Sequence, residues 1–210
     1  MKRFSILVLL CISTAALAQK ADAAFVIGGS FVSDTNGRFV VPAFPFFDAT
    51  FKTDHHIFLE GELGVRLMNA HVAALYAELP IAGIPSQQVS VSATGISGVP
   101  TDVDHLATVF ITPGIRLKLV PSAPISPWVS AGGGWAHYSL KDASVSQNKG
   151  ALQFGGGLDF KTGLPVLGFR AEVRDFLTGD PDFGFSSLFN VNSGLHHHNL
   201  LVGGGVVLRF

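Results

Sequence analysis

The last eleven residues, Leu200-Leu201-Val202-Gly203-Gly204-Gly205-Val206-Val207-Leu208-Arg209-Phe210, restrict this chain more than any other stretch. In an extended strand, successive side chains point to opposite faces. One face would carry Leu200, Val202, Gly204, Val206, Leu208 and Phe210; the other would carry Leu201, Gly203, Gly205, Val207 and Arg209. A strand that is apolar on both sides, ending on an aromatic residue, needs apolar surroundings on at least one of them. Lipid outside and a packed interior meet that need, as in a transmembrane β-barrel.

The rest of the chain has to be compatible with that strand. It is 48% hydrophobic and only 14% charged, yet beyond the N-terminus it has no run of eighteen apolar residues, so no spanning helix is expected. The N-terminus reads as an export signal. Lys2 and Arg3 precede an apolar stretch from Phe4 to Leu17, and Ala16-Leu17-Ala18 offers a small-x-small cleavage site. Residues 1–18 are thus expected to be removed, leaving a β-barrel domain over 19–210, with cleavage after Ala23 as the alternative. Cys11, the only cysteine, falls inside the signal, so the mature chain is expected to have neither disulfide nor thiolate chemistry. A net charge of −1 supplies no basic patch, which argues against a nucleic-acid partner.

Turn signals divide the mature chain into eight strand-like segments: 24–33, 42–53, 57–68, 104–119, 127–140, 150–161, 165–177 and 197–210. Most are longer than strands in soluble sheets and suit a tilted bilayer crossing. In the third, Ile57, Leu59, Gly61, Leu63, Val65 and Leu67 oppose Phe58, Glu60, Glu62, Gly64, Arg66 and Met68. In the seventh, Leu167, Phe169, Ala171 and Val173 oppose Arg170, Glu172 and Arg174. The fourth sets Ile115 and Leu117 against Arg116 and Lys118; the sixth sets Leu152, Phe154 and Leu158 against Gln153 and Asp159; the second sets Phe47, Ala49 and Phe51 against Asp48, Thr50 and Lys52. One greasy and one polar face per strand is barrel patterning. After the first link the connections alternate short and long. Links 54–56, 120–126 and 162–164 are the expected periplasmic turns, and 69–103, 141–149 and 178–196 the outer loops. Trp128, Trp135, Tyr138 and Phe210 are expected at the membrane interfaces.

The chain resembles the outer membrane protein β-barrel domain family, the small eight-stranded barrels akin to the transmembrane domain of OmpA. The resemblance rests on Pro127-Trp128-Val129-Ser130-Ala131-Gly132-Gly133-Gly134-Trp135-Ala136, Leu152-Gln153-Phe154-Gly155-Gly156-Gly157-Leu158-Asp159, Gly168-Phe169-Arg170-Ala171-Glu172-Val173-Arg174-Asp175 and the final Gly203 to Phe210. It implies an all-β, eight-stranded antiparallel barrel integral to a Gram-negative outer membrane, in contact with outer-membrane lipids. It also implies that the C-terminal strand, with Phe210 as its last residue, is the signal read by the β-barrel assembly machinery.

Candidate chemistry is sparse. Asp48, Glu60, Glu62, Arg66, Arg116, Lys118, Asp159, Arg170, Glu172 and Arg174 fall on the non-lipid faces. An eight-stranded barrel is just wide enough for side chains to fill, so these charges are expected to pair across a plugged lumen. Lys52, Lys161 and Arg209 are further bases on those faces. Of the histidines (His55, His56, His71, His105, His137, His196, His197, His198), His196 and His198 share a strand face and could converge on a metal ion, while His197 faces away. Ser139 and His137 share a rim face near Asp142 and Asp175 but stand too far apart to act as a nucleophile–base pair without rearrangement. The glycine runs 132–134, 155–157 and 203–205 lie within strands, not before helices, so they are not phosphate loops.

The expectation is a non-enzymatic barrel with a structural or surface-interaction role, presenting outer loops to a surface ligand. It needs no cofactor, and neither a catalytic nor a metal site is assigned. A narrow passive channel for ions or small solutes is the alternative, and a lipid A-modifying enzyme the second.

Overall fold

The computed structural model describes residues 21–32, 35–41, 44–53, 56–93, 104–140, 145–179 and 196–210, with side chains described at 21–31, 56–86, 106–139, 146–179 and 198–210. The regular elements among them are strands: β1 (Ala21–Val32), β2 (Thr35–Val41), β3 (Phe44–Thr53), β4 (His56–Ala70), β5 (Ala73–Ala93), β6 (Asp104–Ile111), β7 (Gly114–Leu119), β8 (Ile125–Leu140), β9 (Val145–Lys161), β10 (Leu167–Gly179) and β11 (His196–Arg209).

Antiparallel pairing carries the sheet from β1 through β4 and β5, then through β8, β9, β10 and β11, and back to β1. β6 and β7 are two halves of one stave, each pairing with both β5 and β8 in the same register. The ladder lapses between them at Pro113, which has no N–H to give. Gly133 N instead donates to Pro113 O at 3.1 Å. The circuit closes as an eight-stranded antiparallel barrel. Partners followed from Ala21 through Val65, Ala77, Ile115, Ala131, Phe154, Asp175 and Leu200 return to β1 at Phe31, ten positions (31 − 21) further along. That stagger tilts the strands against the barrel axis.

Two staves differ from the sequence expectation. Segment 42–53 is not part of the ring: β3 forms a hairpin with β2 and docks on the far end of β5, from Ala49 opposite Ala93 to Thr53 opposite Val89. The missing stave is β5, inside the stretch expected to be an outer loop. Its two-residue entry turn, His71-Val72, contains no glycine, proline, asparagine or aspartate. Its alternation of Ala74, Tyr76, Glu78, Pro80, Ala82 and Ile84 against Ala73, Leu75, Ala77, Leu79 and Ile81 is blurred by alanines and a proline. β4 therefore runs opposite to expectation, and link 54–56 lies at the loop end. The short turns, all at one end, are 71–72, 120–124 and 162–166. Two of them are tied together by Val120 N donating to Val72 O at 2.8 Å.

Burial is inverted relative to a soluble protein. Phe25, Ile27, Ile57, Leu63, Ile115, Val129, Phe154 and Phe169 are each more than half exposed on the outside, while arginines and glutamates fill the inside. Such an exterior requires apolar surroundings. Glycines make the interior possible. A Cβ at Gly157 would stand 2.7 Å from the Trp128 ring, and one at Gly203 would stand 2.7 Å from Phe58, so these two positions are what let the rings lie flat against the wall.

Candidate functional site

The lumen has two storeys. Nearer the turn end, three guanidiniums converge on one carboxylate. Arg116 Nη1, Arg170 Nη1 (2.6 Å) and Arg174 Nη2 (2.5 Å) all pair with Glu62, whose side chain is 1% exposed. Each arginine also reaches further acids. Arg116 Nη2 donates to both carboxylate oxygens of Asp22 at 2.7 and 2.8 Å. Arg170 grips Asp159 with Nε (2.8 Å) and Nη2 (3.2 Å), and Lys118 pairs with the same carboxylate. Arg174 contacts Glu78 (3.1 Å), Glu60 (3.0 Å) and Glu172 (3.5 Å).

The Trp128 indole, 2% exposed, stacks against all three cations, with centroid distances of 5.8 Å to Arg116, 4.9 Å to Arg170 and 5.1 Å to Arg174. Tyr76 serves Arg116 (4.9 Å) and Lys118 (5.6 Å) in the same way. Charge buried without a partner is strongly unfavourable, whereas multiply bonded guanidiniums over aromatic faces tolerate desolvation. Gln153 completes the storey, its carbonyl accepting from Arg174 Nη1 (3.0 Å) and Ser130 Oγ (2.9 Å).

The carboxylates Glu60, Glu62 and Glu172 bring oxygens within 4.8 Å of one another, a spacing that could hold a metal ion. Arg174 already sits among them and supplies the positive charge an ion would bring.

Above this storey the lumen turns apolar. Val26, Phe58, Ala82, Ile84, Leu106, Phe110, Ala136, Tyr138, Ala151, Phe176 and Leu201 form one buried cluster. Phe110 and Phe176 stack with centroids 4.5 Å apart. Tyr138 spends its hydroxyl on Thr178, 2.6 Å away.

No protein-family model and no curated protein matches the chain. Among solved structures, the outer membrane protein OprG from Pseudomonas aeruginosa superposes with a TM-score of 0.60 at 12% identity, covering 91% of this chain and 96% of that one. Neisserial surface protein A superposes with a TM-score of 0.51 at 10% identity, covering 91% and 97%. The chain has the fold of the small eight-stranded outer-membrane barrels.

In such a barrel the turn end is periplasmic and the loop end outward. Glu60, Glu62, Arg116, Lys118, Asp159, Arg170, Glu172 and Arg174 all lie in the ionic storey. Arg66 is half-buried at the periplasmic end. Asp48 lies on β3, off the ring, and its side chain is outside the described residues. Lys161 is exposed at the end of β9, and Arg209 is half-buried beside Gly168.

Two aromatic assignments need correction. Trp128 and Tyr138 were expected at the interfaces, but even-numbered positions of β8 face inward and both rings are 2% exposed. Trp135 (49%) and Phe210 (72%) do face outward. Sequence reasoning missed Asp22, which precedes the first expected strand at 24–33, and Glu78, which fell within an expected outer loop. The alternation of Tyr76 and Glu78 against Leu75, Ala77 and Leu79 was the signal that could have found the latter.

Among the described side chains, the rim residues do not assemble as a catalytic group. His137 Nδ1 lies 2.7 Å from Asn148 Oδ1 across β8 and β9, while Asp175 pairs with His198 at 2.7 Å across β10 and β11. Asp142, His55, His105, His196 and His197 have side chains outside the described ones.

Proposed function

We propose that the protein is an integral outer-membrane barrel whose lumen is a structural plug and whose work is done by its outward loops, as a non-enzymatic surface or envelope component. The observation that carries this reading is the double filling of the lumen. Arg116, Arg170, Arg174 and Trp128 are 0–2% exposed in one storey, and Phe58, Phe110 and Phe176 are 0% exposed in the other. An ion path would have to displace both.

The two alternatives are open to direct tests. Reconstituted in planar bilayers, the protein is expected to give no conductance steps, and reproducible steps would replace this reading with a channel. Lipid A from cells with and without the protein is expected to have the same mass, and a shift of one acyl chain would make it an enzyme.

Export and assembly belong to the same proposal. Cleavage after Ala18 keeps Asp22, the bidentate partner of Arg116, whereas cleavage after Ala23 would delete it. N-terminal mass spectrometry of the membrane form is expected to begin at Gln19. Strand β11 together with the Phe210 that follows it is the segment offered to the barrel assembly machinery. Deleting Phe210 is expected to lower the amount inserted in the membrane, without changing synthesis.

A further inference from the structure

The ionic storey does not spread its charge evenly. Among the described side chains, six buried carboxylates (Asp22, Glu60, Glu62, Glu78, Asp159 and Glu172) face four buried cations (Arg116, Lys118, Arg170 and Arg174). The half-buried bases Arg66 and Arg209 lie at the periplasmic ends of β4 and β11. Asp22, Glu62 and Asp159 each have both oxygens hydrogen-bonded to arginine. The surplus therefore falls on Glu60, Glu78 and Glu172, whose side chains are at most 1% exposed.

These three glutamates are arranged alike. Each turns Oε1 to Arg174, at 3.0 Å from Nε for Glu60, 3.5 Å from Nε for Glu172 and 3.1 Å from Nη1 for Glu78. Each leaves Oε2 without a hydrogen-bond partner. Arg174 supplies one positive charge to the group and shares it with Glu62. Arg116 adds only a long contact, its Nε standing 3.9 Å from Glu78 Oε2. Three bare carboxylate oxygens around one shared guanidinium are strongly unfavourable in a dry lumen without further positive charge.

The spacing says what form that charge takes. Glu60, Glu62 and Glu172 bring one oxygen each within 4.8 Å of one another. Calcium–oxygen bonds are about 2.3–2.6 Å long, so one ion can touch all three. We propose that this cluster binds one divalent cation of the calcium class, with Glu60 and Glu172 as principal ligands and Glu62 as the third oxygen donor. Carboxylate donors alone select a hard cation over zinc or copper. Glu78, drawn to the same guanidinium from β5, adds to the negative field. The apolar storey closes the lumen above, so the ion enters while the barrel is closing. The ion completes the plug and so rests on the plugged-lumen reading. Conductance steps overturn that reading, whereas a barrel that neither conducts nor retains metal overturns the ion alone.

The test is refolding of the tag-free protein in detergent with Ca²⁺ or with a chelator, followed by desalting, metal analysis and denaturant titration. Folding of each sample is checked by its shifted mobility on unboiled gels. One Ca²⁺ retained per barrel is expected. The unfolding equilibrium constant is expected to fall about tenfold for each tenfold rise in free Ca²⁺ above the dissociation constant. Glu60→Gln and Glu172→Gln, close in shape and one charge fewer, lose both the retained ion and the Ca²⁺ dependence. In chelator both are at least as stable as the parent, because each removes surplus charge. Asp159→Asn, at a carboxylate already fully bonded, lowers stability and keeps the ion. Tyr138→Phe in the apolar storey replaces it as the control if it fails to fold, and the parent's own metal content decides if neither glutamine variant folds. No retained ion, with equal stability in Ca²⁺ and chelator, overturns the proposal and means that protons meet the surplus. An ion kept by both glutamine variants overturns it too, as does an ion lost equally from them and from the folded control.

Discussion

The two storeys of the lumen do the same mechanical job with opposite chemistry. The periplasmic storey is held by directional contacts, three arginines sharing Glu62 beneath Trp128. The outer storey is held by non-directional packing around the Phe110–Phe176 stack. Such filling modes fail differently. Removing one member of an ionic hub strands the others as unpaired charge, whereas trimming an apolar cluster forfeits only the trimmed contacts and leaves a small void. The ionic storey is therefore brittle and the apolar storey forgiving.

Four substitutions sharpen or break that contrast when read by denaturant titration in detergent or vesicles. The largest loss is expected for Glu62→Leu, about 3–5 kcal/mol, because three guanidiniums lose their common partner while still buried. A loss below that of a single methyl deletion would mean water already screens the network. Next is Phe169→Arg, outside both storeys on the proposed lipid face, at about 2–4 kcal/mol near mid-bilayer. A loss no greater than that of a conservative change at Gln153 would reverse the inside–outside assignment. Ile84→Val trims the apolar storey by one methylene and is expected to cost about 0.5–1.5 kcal/mol. A cost near that of Glu62→Leu would abolish the distinction between the storeys. His137→Ala at the exposed rim is expected to stay within about 0.5 kcal/mol of the native protein, and a larger effect would bring the His137–Asn148 contact into the stability account.

The sequence exposed the architecture where each strand had one clean greasy face and one charged one. β4, β7, β9 and β10 were legible because Glu60, Glu62, Arg116, Lys118, Asp159, Arg170, Glu172 and Arg174 alternate with large apolar residues. β5 was not legible, since alanines on both faces give little contrast and Pro80 reads as a strand breaker. In the structure Pro80 instead faces inward opposite Glu62, and its carbonyl accepts from Thr112 N at 3.4 Å. Misplacing β5 displaced Glu78 from the site and put Asp48 into it. Trp128 was misjudged for another reason. Aromatic residues near a strand end serve equally as interface anchors or as cation platforms, and only the identity of the neighbouring strands decides between them. The pairing of Asp175 with His198 is a diagonal contact between strands, so no local spacing announces it.

The seam between β1 and β11, where Asp22 stands opposite Arg209 and Phe210 N donates to Ala21 O, joins the two extremes of the folded domain. Contacts so distant in sequence are slow to form and cannot precede the arrival of the final strand. Until then the chain carries two unsatisfied sheet edges and a full coat of exposed phenylalanine, leucine and valine, a combination that invites aggregation. In a crowded aqueous compartment such a molecule would need an escort for its whole transit, and its window of vulnerability would close only when the last strand docks.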